Sequence, residues 1–277
     1  GNDHITNTFK QILIYSALGL EIPSFGHVPL ILRPDKKKVS KRLGDKDVAQ
    51  YKTEGILPEA MFNYLCLLGW SPKADREIYT VDELIEIFNA DNFNSSNAVF
   101  DEEKLLAFNK EHIILKSNHD IAVDVAPLLV ASGVTTKYWL ETRWDYLLKV
   151  VGILKDRMRR LSDFVSLGNY FFSFDYKYDY KSDQKYFVKE NAQLLTELAN
   201  QFEQLDRFTL ANLEETLSLI AEEKGIKRAM LIHPTRLAVS GVPSGPGLYD
   251  LLVVLDKEIV IERLRKAVEY INRKDIS

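Results

Sequence analysis

The segment Leu57-Pro58-Glu59-Ala60-Met61-Phe62-Asn63-Tyr64-Leu65-Cys66-Leu67-Leu68-Gly69 decides the fold class. Proline suits the first helical position, where a backbone N–H has no partner in any case. Met61, Phe62, Leu65 and Leu68 recur at three- and four-residue spacings, and Gly69 can end the helix in left-handed backbone. The same punctuation continues in both directions. Thr8 to Leu18 reads as a helix with Phe9, Ile12, Leu13 and Leu18 on one face and Gly19 as its stop. His27 to Leu32, bounded by Gly26 and Pro34, reads as a short buried strand, and Pro34-Asp35 opens a lysine-rich turn. Thr80-Val81-Asp82-Glu83 is a capping box, which predicts a helix to about Phe88. Helical periods also run over Glu102 to Lys110, Ile121 to Ala131, Trp139 to Phe164, Gln184 to Phe202, Leu210 to Lys224 and Lys257 to Ile271. The expectation is a mainly α protein of helical domains joined end to end.

One stretch departs from that period. Between Tyr170 and Asp183, Phe172, Phe174, Tyr176, Tyr178 and Tyr180 alternate with Asp and Lys, which is a strand period. Aromatics beside lysines can stack bases, but an aromatic ribbon packed between helical domains is the favoured reading.

Composition sets the outer limits. The 277 residues hold enough for about two domains of ordinary size. A hydrophobic share of 46% with 27% charge excludes a disordered chain, and there is no apolar run long enough to span a bilayer. The single cysteine, Cys66, excludes an intrachain disulfide and a cysteine-based zinc site, and no metal site is expected. The start, Gly1-Asn2-Asp3-His4, has neither an initiator Met nor a secretory signal. A chain beginning mid-protein, from a cytoplasmic protein, is the expectation.

The net charge of −4 argues against a polyanionic partner only when it is averaged over the chain. Residues 33–46 carry +5, residues 149–160 carry +4 and residues 224–236 carry +4, so the remainder carries −17. Three basic islands on an acidic body are the pattern of a protein that meets phosphates on chosen surfaces. Any single island taken alone reads better as a solvated face.

No Walker A loop, G-x-G-x-x-G, H-E-x-x-H, C-x-x-C or G-x-S-x-G is present. What remains is Lys38-Val39-Ser40-Lys41-Arg42, two lysines three residues apart flanking a small hydroxyl residue after a strand and a turn. Such a loop can place positive charge on a departing pyrophosphate without covalent chemistry. Alone the string is weak, since basic turns of this composition are common.

Its surroundings carry more. Gly1-Asn2-Asp3-His4, Asn7-Thr8, Gln11, His27 to Leu32, Pro34-Asp35 and the lysine loop together resemble the bacterial glutamyl-tRNA synthetase family. They match the place where its class I catalytic domain ends in the KMSKS loop. The resemblance continues through Leu57-Pro58-Glu59-Ala60, Leu68-Gly69-Trp70-Ser71, Val99-Phe100-Asp101, Glu222 to Lys227, Pro234-Thr235-Arg236 and Gly247-Leu248, with a weaker middle third. It implies the C-terminal edge of a class I, Rossmann-type α/β catalytic domain over 1–45 and a helical stem-contact domain over 46–118. A two-part helical anticodon-binding cage follows over 119–170 and 171–277.

Roles follow by resemblance. Lys38 and Lys41 match the lysines that stabilise the adenylation transition state, with Ser40 shaping the loop. Leu30 and Ile31 match the adenine-binding positions, and His4 lies at the edge of the substrate pocket. Val39 stands where Met, Ile or Leu is usual, a minor apolar change. Arg157 matches an arginine that reads the last anticodon base, and Arg236 another anticodon-region arginine. Pro246 and Leu248 match apolar contacts to splayed bases. Ser218 stands where some members place an arginine. The implied partners are tRNA-Glu, glutamate and ATP with Mg2+ as substrates of the intact enzyme. The family's His-x-Gly-His signature is absent from this chain. Its resemblance to the C-terminal part alone therefore implies tRNA binding without catalysis, no bound cofactor and no membrane.

Rivals differ at stated positions. Glutaminyl-tRNA synthetase shares residues 1–75 in character, but reads its anticodon with β-barrels, whereas residues 120–277 read as helix. A non-catalytic RNA-binding module and a helical interaction protein without RNA are the remaining rivals.

Overall fold

The computed structural model describes residues 1–40, 44–173 and 175–274. Lys41, Arg42 and Phe174, which enter the expectations above, lie outside the described residues. The chain is mainly α and divides into two units, Gly1–Leu115 and Lys116–Ser277.

The first unit opens with α1 (Ile5–Ala17). Gly19 at φ 65° closes it: the amide of Leu20 donates to Tyr15 O and that of Gly19 to Ser16 O, which uses carbonyls the helix end leaves free. The expected apolar face is there but uncovered, because Phe9, Leu13 and Leu18 are all exposed. The expected buried strand contracts to β1 (Ile31–Leu32), paired in parallel with β2 (Ala98–Val99). Val28 and Ile31 are exposed.

Three short helices then build the first core: α2 (Val48–Thr53), α3 (Pro58–Gly69) and α4 (Val81–Ile87). The α4 start is the expected capping box, with Glu83 N donating to Thr80 Oγ1 and Thr80 N to the Glu83 carboxylate. The face of α3 differs from the expected one. Ala60, Met61, Asn63 and Tyr64 are buried while Phe62 and Leu65 are exposed. Asn63 can face inward because its amide is satisfied by Glu77 O and by the amide of Tyr79. Tyr64 meets Phe108 and Phe100 edge-on, the former on α5 (Glu102–Leu115).

The second unit is helical throughout its described elements: α6 (Asn118–Ala131), α7 (Lys137–Thr142), α8 (Trp144–Leu154), α9 (Asp163–Ser166), α10 (Tyr180–Tyr186), α11 (Lys189–Gln204), α12 (Leu210–Glu223), α13 (Ala229–Ser240), α14 (Leu248–Leu255) and α15 (Lys257–Lys274). The expected continuous helix from Trp139 to Phe164 is broken twice. Arg143 leaves helical backbone (φ −134°, ψ 37°), which lets the Trp139 ring meet Tyr146 edge-on at 5.6 Å. After Leu154 a 3-10 turn leads to an extended, buried Met158, and the amides of Arg159 and Arg160 donate to Asp163 Oδ2. The Gln184 to Phe202 helix likewise divides at Phe187 and Val188 into α10 and α11.

Among its described residues the aromatic stretch is not a strand. Tyr170 and Phe171, adjacent in sequence, are both buried in a 3-10 turn. Tyr176 Oη donates to Ala238 O at 2.6 Å, and Tyr178 packs against Phe187 and Tyr270. These rings serve packing against α13 and α15. Gly241 ends α13 at φ 77°; a β-carbon there would fall 2.5 Å from Lys177 O, so only glycine admits this close crossing.

Candidate nucleic-acid interface

In the first unit the lysine loop hangs from β1. Arg33 N donates to Lys37 O, and Lys37 N to Asp35 Oδ1, which closes the expected turn with Lys36 at φ 63°. Ser40 N donates to Asp45 Oδ2 at 2.8 Å, and Arg33 Nε lies 3.6 Å from the other Asp45 oxygen. Asp45 therefore ties the loop to the strand that carries it. Lys38 Nζ is paired with the Asp3 carboxylate, and this hydrogen bond holds Asp3 below its usual range. His4 is exposed and shares a hydrogen bond with Asn7. Leu30 and Ile31 border an apolar cavity of about 320 Å3 whose other wall includes Cys66, Trp70, Phe88 and Phe93. Lys41 lies outside the described residues.

In the second unit the structure gathers residues far apart in the chain. Arg157 is exposed in the 3-10 turn after α8, and it borders a cavity of about 460 Å3 together with Pro246. Arg236 projects from α13 into the same neighbourhood. A β-carbon at Gly245 would stand 3.3 Å from Arg236 Nη1 and 3.5 Å from Tyr170 Oη, so glycine leaves the room that brings the guanidinium, the phenol and the 242–248 loop together. Burial is the main cause lowering the pKa of Arg236, and the nearby Arg157 cation adds to it. Burial also pushes the Tyr170 phenol up to about 12, against the pull of both arginines. Arg236 Nη1 is buried without a hydrogen-bond partner among the described residues. A buried donor of this kind is costly unless a ligand supplies the acceptor. Leu248 is 5% exposed and packs inward at the start of α14.

The other island residues are partly occupied by carboxylates. Lys224 pairs with Glu197 at 2.7 Å and Arg228 with Glu214 at 3.3 Å, the ordinary solvated-face reading. Ser218 accepts a hydrogen bond from Arg228 Nη1, so a guanidinium reaches that position from α13's leading turn. The charge pattern does not single out Tyr170, Asp45 or Gly245, and sequence reasoning missed all three. Only their three-dimensional neighbours mark them. Among the described residues no cluster of His, Cys, Asp and Glu could hold a metal ion, and no helix is long and apolar enough to cross a membrane.

Comparison with known proteins agrees with this division. The family described as tRNA synthetases class I (E and Q), catalytic domain, matches residues 1–107, and the anticodon binding domain family matches residues 122–268. The glutamate-tRNA ligase of Moorella thermoacetica is 39% identical over 97% of this chain and 55% of its own length. That of Chloroherpeton thalassium is 37% identical over 99% of this chain and 56% of its own. The crystal structure of the glutamate tRNA ligase from Elizabethkingia meningosepticum in complex with its amino acid superposes with a TM-score of 0.84 at 32% identity. It covers 97% of this chain and 56% of the crystallised one. The chain thus spans about half the length of the relatives it matches. The catalytic-domain family groups glutamyl and glutaminyl enzymes, but the helical anticodon domain and the relatives point one way. With the C-terminal edge of the class I catalytic domain in its first unit and the anticodon binding domain in its second, the chain belongs to the glutamyl-tRNA synthetase family.

Proposed function

We propose that this chain is the tRNA-binding, anticodon-reading part of a glutamate-tRNA ligase that acts in the cytoplasm. In the longer protein, ATP with Mg2+ and glutamate form a glutamyl-adenylate, from which glutamate passes to tRNA-Glu. Residues 1–45 form the edge of the catalytic domain, with Lys38 and Lys41 stabilising charge on the leaving pyrophosphate and Ser40 shaping the loop. Leu30 and Ile31 border the adenine and His4 the substrate pocket. The Lys38 pairing with Asp3 breaks when phosphate takes the lysine. Residues 46–118 contact the stem. Residues 119–170 and 171–277 read the anticodon through Arg157 and Arg236, with Pro246 at the cavity wall and Leu248 anchoring the loop from inside. The chain alone binds tRNA without activating glutamate.

The observation that carries this reading is the pair of arginines: one exposed, one with a buried donor and no acceptor, both beside a glycine- and proline-rich loop. A planar guanidinium bonds a base edge with two parallel donors, which lysine cannot copy. Arg157→Ala is therefore expected to weaken binding of the tRNA-Glu anticodon stem-loop by roughly 5- to 100-fold and to reduce discrimination against tRNA-Gln. Fluorescence anisotropy with both stem-loops measures it. Unchanged affinity together with unchanged discrimination would sink the assignment.

A further inference from the structure

The cavity beside Arg157 has an acceptor side. Its lining includes Asp156 and Asp250 as well as Gly152, Ile153, Arg157 and Pro246. Both carboxylates are exposed, and neither makes a hydrogen bond or ion pair with another described residue. Asp250 lies in the first turn of α14. Its carboxylate is folded over Gly247: a β-carbon at Gly247 would fall 2.3 Å from Asp250 Oδ2. The glycine thus gives the carboxylate its place on the wall. Arginine carries donors only, and an ionised carboxylate carries acceptors only, so the cavity offers both kinds of partner to one planar ligand.

Glutamate codons begin with G, so the last anticodon base of their tRNA is cytosine. Cytosine presents acceptors at N3 and O2 and a donor at its N4 amine. Arg157 can serve the acceptors, but it cannot take the amine hydrogens. We propose that Asp250 is a second specificity-determining residue of this site, accepting a hydrogen bond from the exocyclic amine of the base whose acceptor edge Arg157 holds. The proposal rests on the anticodon reading above. Uracil, with a carbonyl oxygen in place of the amine, sets an acceptor against the carboxylate and is rejected. Guanine is not rejected by this device, because its N1 and N2 hydrogens also suit a carboxylate. Asp250 therefore tells cytosine from uracil and leaves the exclusion of guanine to other groups.

The test uses the 277-residue chain and two tRNA-Glu transcripts that differ only in cytosine or uracil at the last anticodon position. The unchanged protein is expected to prefer cytosine by about 10- to 100-fold. Asp250→Asn, whose amide can turn a donor toward the uracil oxygen, is expected to bring the ratio within a few-fold of one. Asp156→Asn removes the same charge from the same cavity and is expected to keep the ratio, while Gly247→Ala, which displaces the Asp250 carboxylate, lowers it. A wild-type ratio in Asp250→Asn overturns the proposal, and so does an equal fall in Asp156→Asn, which would make charge alone the cause. Arg157→Ala separates the two levels. If it weakens both transcripts while Asp250→Asn keeps the ratio, only the Asp250 role is lost. If Arg157→Ala leaves both transcripts bound as before, the anticodon reading falls with it. Circular dichroism of each variant confirms that it is folded.

Discussion

Replacing Arg263 with alanine should unfasten the second unit at one point. Arg263 lies on α15 and is 2% exposed. Its Nη1 donates to Val239 O at 2.5 Å, near the end of α13, and its Nη2 to Tyr170 O at 2.7 Å and Ser173 O at 3.1 Å. The guanidinium carbon also stands 4.8 Å from the centre of the Tyr176 ring. One side chain thus fastens a helix end to the aromatic stretch that carries Tyr170. Alanine would strand two buried carbonyls and one part-buried one, and open a cavity. Hydrogen bonds from a charged donor contribute about 1.5–3 kcal/mol each. They do not add fully, because the cation's own desolvation, which lowers the Arg263 pKa, offsets part of the gain. A loss of about 3–5 kcal/mol remains. For a unit of this size each kcal/mol moves Tm by about 2–4 °C, so Tm of the second unit should fall by roughly 6–20 °C. Hydrogen exchange followed by mass spectrometry on α13 and α15 reads this unit without interference from the first. Arg263→Met refills much of the volume without donors, and separates packing from hydrogen bonding. A loss below about 1 kcal/mol in Arg263→Ala, or full recovery in Arg263→Met, would refute the role of the three carbonyl contacts.

Two further expectations concern the tyrosines. Tyr64 Oη donates to Asp101 O at 2.9 Å and accepts from Asp101 N at 2.7 Å, so Tyr64→Phe keeps the ring contacts but strands both main-chain groups. A urea titration should show the first unit weakened by about 1–3 kcal/mol, and an unchanged midpoint would refute the reciprocal pair. Burial pushes the phenols of Tyr64, Tyr170 and Tyr178 up to about 12, from about 10 in an unfolded chain. Between those values the folded state holds protons that the unfolded state has released. Stability is therefore intact below about pH 10 and falls as pH rises toward 12. Urea titrations at pH 9, 10, 11 and 12 should show stability falling across that window; a stability unchanged from pH 10 to pH 12 would contradict the burial argument.

How much of this could be read from the sequence depended on how local the cause is. The capping box at Thr80 and the stop at Gly19 use groups a few residues apart, and both stand in the structure as read. The breaks at Arg143 and at Phe187 and Val188 carry no Gly or Pro signal. They follow from packing, such as Trp139 folding back on Tyr146, that single-chain periodicity does not encode. The alternating aromatics from Tyr170 gave a strand period for a different reason. Their partners are helices on more than one side, so neighbouring rings such as Tyr170 and Phe171 are both buried, which a one-sided strand forbids. Helix α13 escaped notice because Pro234 sits inside it and loses one backbone bond there.

The charge islands divide along the same line. Composition located them, but it could not say which cations remain available, since that depends on where acidic residues fold. Lys224 and Arg228 find Glu197 and Glu214, Lys46 finds Glu54 and Glu102, and all of these read as ordinary surface pairs. Arg157 and Arg236 instead meet each other, Tyr170 and a loop that offers Arg236 Nη1 no acceptor. Burial and the neighbouring Arg157 cation both disfavour the charged Arg236 guanidinium. An acceptor-rich ligand would supply the missing partner of Arg236 Nη1, so on the proposed reading this donor is a stronger sign of function than the local sum of +4.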